Sequence, residues 1–174
     1  LALSSEEGLW VMNPDGSGVM HILHLNHQDF ERYKFAIAPH GGRIAFSIFQ
    51  DNPQAFIADP PELILVSLPS LSTRSITRQH SGKLLIVPSP GYHDPNEDVF
   101  AAISESVLTW SHDGSFLAFI GAQEGPSADL YVFSTLDRTV TRLTSGPTQS
   151  IDPMWSPDDG FILSAGASDM NYGV

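Results

Sequence analysis

Short apolar runs recur along this chain, each bounded by turn formers. Leu9-Trp10-Val11-Met12-Asn13, Leu63-Ile64-Leu65-Val66-Ser67 and Leu130-Tyr131-Val132-Phe133-Ser134 are rich in β-branched and aromatic residues. They are too short for helices, and Gly, Pro and Asp punctuate them at both ends, so they predict strands. Their apolar positions are consecutive. Alternation marks a strand with one wet face, whereas a short continuous run marks a strand covered on both. By contrast, Thr139-Val140-Thr141-Arg142-Leu143-Thr144 alternates and reads as an outer strand, partly solvated and protected from pairing with another chain.

Laid on itself, the chain repeats. Leu108-Thr109-Trp110-Ser111-His112-Asp113-Gly114 aligns with Pro153-Met154-Trp155-Ser156-Pro157-Asp158-Asp159, the two tryptophans standing 155 − 110 = 45 residues apart. That period suits a four-stranded blade. Phe35-Ala36-Ile37-Ala38-Pro39-His40-Gly41 is a third copy, with Ile37 in the Trp place, and Leu9–Asn13 belongs to a fourth. Arg43-Ile44-Ala45-Phe46-Ser47, Phe116-Leu117-Ala118-Phe119-Ile120 and Phe161-Ile162-Leu163 follow in the second-strand position. Pro, Asp and Gly between these strands supply the fixed φ, side-chain cap and permissive backbone of a tight turn, as does Asn13-Pro14-Asp15-Gly16.

With strands lettered a to d, residues 1–23 supply b, c and d, 35–77 and 108–144 supply full blades, and 153–165 supply a and b. The expected fold is all-β, a propeller of four-stranded antiparallel blades forming an incomplete ring of about three to four blades. A six-bladed propeller needs on the order of 240 residues, so the 174 here read as a piece of a longer protein cut inside a blade at both ends. The rival arrangement is a small ring in which residues 153–158 pair beside Leu1-Ala2-Leu3; it leaves Phe161-Ile162-Leu163 redundant.

Asp152-Pro153-Met154-Trp155-Ser156-Pro157-Asp158, with Leu130-Tyr131-Val132-Phe133 and the closing Arg142-Leu143-Thr144, resembles the WD-like repeat of the TolB-like β-propeller family. The resemblance covers about residues 1–77 and 108–165, and departs at Ile37, in the Trp place, and at Asp159, where the family prefers Gly. It implies a scaffold that binds proteins or peptides over its faces and central funnel. Similar blades form the gating part of prolyl-oligopeptidase-type serine peptidases, which makes a propeller part of a multidomain enzyme, its catalytic domain elsewhere, the alternative. A fold does not decide between these, nor does it exclude a small-molecule sensor.

Composition narrows the partner. With 8 basic against 20 acidic residues the formal charge is −12. Such a surface repels phosphate backbones and anionic lipid, which disfavours nucleic acid and leaves a protein or peptide partner, a basic one included. No apolar stretch reaches the ~18 residues of a membrane span, so no membrane insertion is expected. There is no cysteine, hence no disulfide, thiolate nucleophile or Cys-based zinc site. That is compatible with an exported bacterial protein, and a periplasmic or extracellular location is the expectation.

Candidate chemistry is sparse. Gly-x-Ser-x-Gly is absent and no spacing ties Ser, His and Asp together, so no catalytic residue is assigned and no enzyme activity is expected within these residues. His21, His24 and His27 fall on a strand and its following connection, where a spacing of three does not align side chains. Asn13–Gly18 lacks the far Glu of a calcium loop. No metal and no cofactor are expected. The remaining candidate is the insertion at 78–107, about thirty residues between two blades, since long loops in compact domains are disproportionately functional. Within it, Tyr92, His93, Asp94, Glu97 and Asp98 are the expected contact patch for a basic partner.

Overall fold

The computed structural model describes residues 8–24, 34–48, 62–68, 70, 72–75, 107–121, 127–146 and 148–167. The chain divides into two compact units, Leu1–Tyr33 and Lys34–Val174.

In the first unit β1 (Gly8–Val11) pairs antiparallel with β2 (Met20–His24), with a bulge between Leu9 and Trp10. The turn between them forms because Asp15 accepts from both the backbone N–H of Ser17 (2.9 Å) and its hydroxyl (2.6 Å). Gly16 and Gly18 take φ of 80° and 63°, a region costly for side-chain-bearing residues. The Trp10 and His21 rings lie 4.3 Å apart, which accounts for this histidine as a packing partner. The apolar run predicts a strand dry on both faces through Met12. Instead β1 is half-buried and Met12 is exposed, because pairing ends at Val11 and Met12 begins the turn.

The second unit is a series of meanders. β3 (Lys34–Ile37), β4 (Arg43–Ile48), β5 (Glu62–Ser67) and β6 (Ser72–Ser75) form one four-stranded antiparallel sheet in chain order. β7 (Thr109–Trp110), β8 (Phe116–Gly121), β9 (Asp129–Ser134) and β10 (Val140–Arg142) form the next, and β11 (Gln149–Trp155) pairs with β12 (Ile162–Ala167). Among the described residues no helix occurs, hence none long and apolar enough to cross a membrane.

Two apolar cores separate these sheets, and side-chain alternation feeds both. Leu117 and Phe119 of β8 and Tyr131 and Phe133 of β9 pack with Trp110 against Ala38, Ala45, Leu63 and Leu65 of the preceding sheet. Their neighbours in sequence, Ala118, Ile120 and Leu130, face the other way and meet Ile151, Trp155 and Ile162. The continuous run Leu130–Phe133 is thus two interleaved faces, each completing a different core. Each large side chain so buried contributes about 1.5–3 kcal/mol.

A polar contact repeats with the apolar one. The Trp110 indole N–H donates to the Ala36 carbonyl (3.1 Å), and the Trp155 indole donates to the Thr109 carbonyl (3.2 Å). Ala36 and Thr109 are equivalent positions, so each tryptophan grips the first strand of the sheet before it. Here the tryptophans belong to the inter-sheet core, as their place in the repeat predicts.

Two boundaries differ from the sequence reading. The last first strand is expected from Pro153 but begins at Gln149. Pro153 is accommodated because register slips between Ile151 and Met154, with Asp152 at φ 48°, and a bulge needs no ladder N–H there. The outer strand is expected over 139–144 but pairs only through Val140–Arg142. Beyond it the Leu143 N–H still donates to the Leu130 carbonyl (2.8 Å), while the Leu130 N–H turns to the Thr144 hydroxyl (2.9 Å) in place of a backbone acceptor.

Candidate interaction surface

The first-to-second and third-to-fourth strand turns of a sheet lie at the same end. The Leu68 N–H donates to the Gly42 carbonyl and the Thr135 N–H to the Ser115 carbonyl, each at 2.9 Å. This end carries most of the described acidic side chains of the second unit.

The turns are built alike. Ser111 N–H donates to the Phe116 carbonyl and Gly114 N–H to the Ser111 carbonyl; Ser156, Phe161 and Asp159 repeat the pattern. The buried serine hydroxyl takes the Phe116 N–H (2.9 Å) and donates to Asp113 (2.7 Å); Ser156 takes the Phe161 N–H (3.1 Å) and donates to Asp158 (2.6 Å). Hydrogen bonds from Ser111, then from Ser115, hold Asp113 below the usual carboxylate range, and Ser156 followed by the Gly160 N–H does the same for Asp158. At the neighbouring turn Asp137 is lowered by hydrogen bonds from Ser134 and Thr139.

Asp159 is the exception that explains itself. It occupies the glycine position of the repeat at φ 56°, where Gly114 has 68° and Gly41 has 70°. One carboxylate oxygen accepts from the His112 backbone N–H and lies against His112 Nδ1, both at 2.8 Å; the other accepts from the Asp113 N–H at 3.0 Å. Partial burial acts to raise its pKa, but the hydrogen bonds from the His112 backbone, the His112 ring and Asp113 together outweigh that and leave it lowered. A residue flagged only as a departure from the pattern is a latch between consecutive sheets.

The opposite end holds a second clasp, invisible in the motif. Asp129, fully buried, receives Arg142 Nη2 and the Ser127 hydroxyl (2.8 Å) on one oxygen and the Thr144 hydroxyl (3.2 Å) on the other. Arg142 also donates to the Thr144 carbonyl (2.9 Å), and the Thr144 and Ser150 hydroxyls share a bond of 2.9 Å that reaches the next sheet. A buried carboxylate persists only when paired and hydrogen-bonded in this way.

Comparison with known proteins fits this geometry. No family model matches the chain. Two solved structures superpose on nearly all of it: TolB from Acinetobacter baumannii, with a TM-score of 0.50 and 18% identity over 95% of this chain, and a protein described as TolB from Agrobacterium tumefaciens, with 0.57 and 11% over 98%. The fold is TolB-like. The chain spans 35% and 50% of those two TolB chains. In sequence it is 46% identical over 54 residues to YuxL, an uncharacterised peptidase of Bacillus subtilis (strain 168), a match covering 31% of this chain and 8% of that protein.

Within this TolB-like frame the expected contact residues Tyr92, His93, Asp94, Glu97 and Asp98 lie outside the described residues, as does the whole 78–106 stretch. His24 is the end of β2, and His27 also falls outside. Among the described residues no group of three or more His, Cys, Asp or Glu is arranged to hold a metal. The acidic turn end, with exposed His40 and His112 and the projecting Leu136, is the candidate surface among the described residues.

Proposed function

We propose that this chain is a non-catalytic propeller scaffold that binds a protein or peptide partner carrying basic groups. One observation carries the reading: the polar groups most strongly engaged in the second unit are used in holding turns and sheets together. Asp129, Asp159, Asp113, Asp158 and both indoles are each committed to internal hydrogen bonds. Asp113, Asp137 and Asp158 are hydrogen-bonded within their turns and still face outward, and in a chain of net charge −12 they add to a field that attracts cationic segments. The loop residues Tyr92, His93, Asp94, Glu97 and Asp98 are proposed as a separate contact for the same basic partner. A periplasmic or extracellular site of action belongs to the same proposal, supported by the TolB-like fold and the absence of cysteine.

Titrating the full-length protein with a Lys-rich peptide and with an acidic peptide of equal length tests this. Binding of the basic peptide alone, weakening as salt rises, is the expected result. Equal binding of both, or none of either, would sink it.

The YuxL match supports a second reading, in which these blades gate a serine peptidase whose catalytic domain lies in another part of the polypeptide. An α/β-hydrolase domain with a nucleophile elbow in the full reading frame, labelled by a fluorophosphonate probe, would favour it. Labelling of a serine within these residues would defeat both readings.

A further inference from the structure

At the tip of the turn between β9 and β10 an apolar side chain stands in water: Leu136 is 91% exposed. Phe35, Ile37, Met154 and Leu163 are also well exposed, but they belong to the first and last sheets of the second unit. Leu136 does not. Its sheet has a packed neighbour on each side, Trp110 meeting Ala38 in one direction and Leu130 meeting Ile151 in the other. The exposure of Leu136 therefore belongs to the turn end itself and not to an uncovered sheet.

The turn has no use for a leucine. Equivalent positions of the repeat hold Asp15 and Pro69, both turn formers, and here the neighbours of Leu136 make the bonds. The Ser134 N–H donates to the Thr139 carbonyl and the Thr135 N–H to the Ser115 carbonyl, each at 2.9 Å. The Thr139 hydroxyl and N–H donate to Asp137 at 3.0 and 3.4 Å, and Arg138 takes φ 62°. The tip is held in one shape while its leucine makes no contribution to holding it. A preformed knob of this kind loses little conformational freedom on binding.

We propose that Leu136 is the apolar anchor of the partner contact, and that the partner segment is amphipathic as well as basic. The inference rests on the reading that the acidic turn end receives a basic partner, and it specifies that partner further. At the tip the exposed Arg138 offsets the charge of the exposed Asp137, which leaves the surroundings of Leu136 close to neutral and suited to an aliphatic or aromatic side chain. Unbalanced carboxylates lie farther out, at Asp113 and at Asp158 of the adjoining turn, which the Asp159 bonds to the His112 and Asp113 N–H groups hold alongside. An apolar centre with a charged rim is the ordinary anatomy of a protein contact. A segment carrying cations alone would leave Leu136 in water and gain only attraction that salt screens.

Two synthetic peptides of equal length and charge, titrated into the full-length protein, test the anchor. One alternates lysine with serine; in the other, half of the serines are leucine. The leucine-bearing peptide should bind about tenfold more tightly, and that ratio should persist as salt weakens both. Leu136→Ser should cut the ratio to less than about twofold while leaving the lysine–serine peptide unaffected. It replaces a side chain already in water, so the fold is not at stake. Leu143→Ser, 51% exposed at the far end of the same strand pair, is the control and should leave the ratio intact. Equal binding of the two peptides, or a ratio that survives in Leu136→Ser, would overturn the anchor while the basic-partner reading stands. Binding of neither peptide would remove that reading and the anchor with it.

Discussion

At the scale of single residues, carboxylates in this protein act chiefly as hydrogen-bond acceptors, first for serine and threonine hydroxyls of their own turns and then for backbone N–H groups. Asp15, Asp113, Asp137, Asp158 and Asp159 are all held below their ordinary pKa by such bonds. A carboxylate whose folded pKa is depressed stabilises the fold above its unfolded value and loses that contribution as pH falls through the folded one. Thermal midpoints measured from pH 7 to pH 2 should therefore hold until about pH 4 and then fall. Asp159→Asn should lower the neutral-pH midpoint and reduce the acid drop, since one charge-linked acceptor has been removed; an unchanged acid limb would deny the latch its role. The buried pair gives a larger effect. Arg142→Ala leaves Asp129 without its cation and should cost about 3–5 kcal/mol in urea unfolding, whereas replacing both residues by leucine should cost less. Serine hydroxyls at the turns matter less than their burial implies. Ala38 keeps the same backbone turn, with its N–H on the Arg43 carbonyl and the Gly41 N–H on its own, so Ser156→Ala should cost only about 0.5–1.5 kcal/mol.

At the scale of elements, the strands were legible and their ends were not. Continuous apolar runs at β5 and β9 announced strands covered on both faces, because a residue's type records whether water reaches it. Trp110 and Trp155 announced the repeat, and their indole bonds explain why tryptophan and no smaller aromatic stands there. Trp155→Phe keeps most of the stacking on Phe116 and loses one hydrogen bond, for an expected loss of about 0.5–1.5 kcal/mol. What the motif concealed were partnerships between distant positions. Nothing adjacent to Asp129 forecasts Arg142, and nothing near Asp159 forecasts the N–H groups of His112 and Asp113, 47 and 46 residues away. Pro153 hid the start of β11, since a proline normally argues against a strand and here sits at a bulge.

At the scale of the whole second unit, sheets linked only to their neighbours make stability a sum of local terms and interface terms. Leu117→Ala, at the centre of the first core, should cost about 2–5 kcal/mol and lower the urea midpoint. Ile162→Ala removes part of the second core from a half-buried position and should cost less than that, with hydrogen exchange rising in β11 and β12 before β4 and β5. Simultaneous, equal loss of protection in all sheets would show a single cooperative block instead.

The two-sided strand β9 has an evolutionary corollary. Leu130 answers to Ile151 and Trp155, while Tyr131, its covalent neighbour, answers to Ala45 and Leu65. Substitutions at adjacent codons are thus selected by different partners. Odd and even positions of one strand are free to diverge independently, and after duplication a blade can be refitted to a new neighbour on one side while its fit on the other is inherited intact.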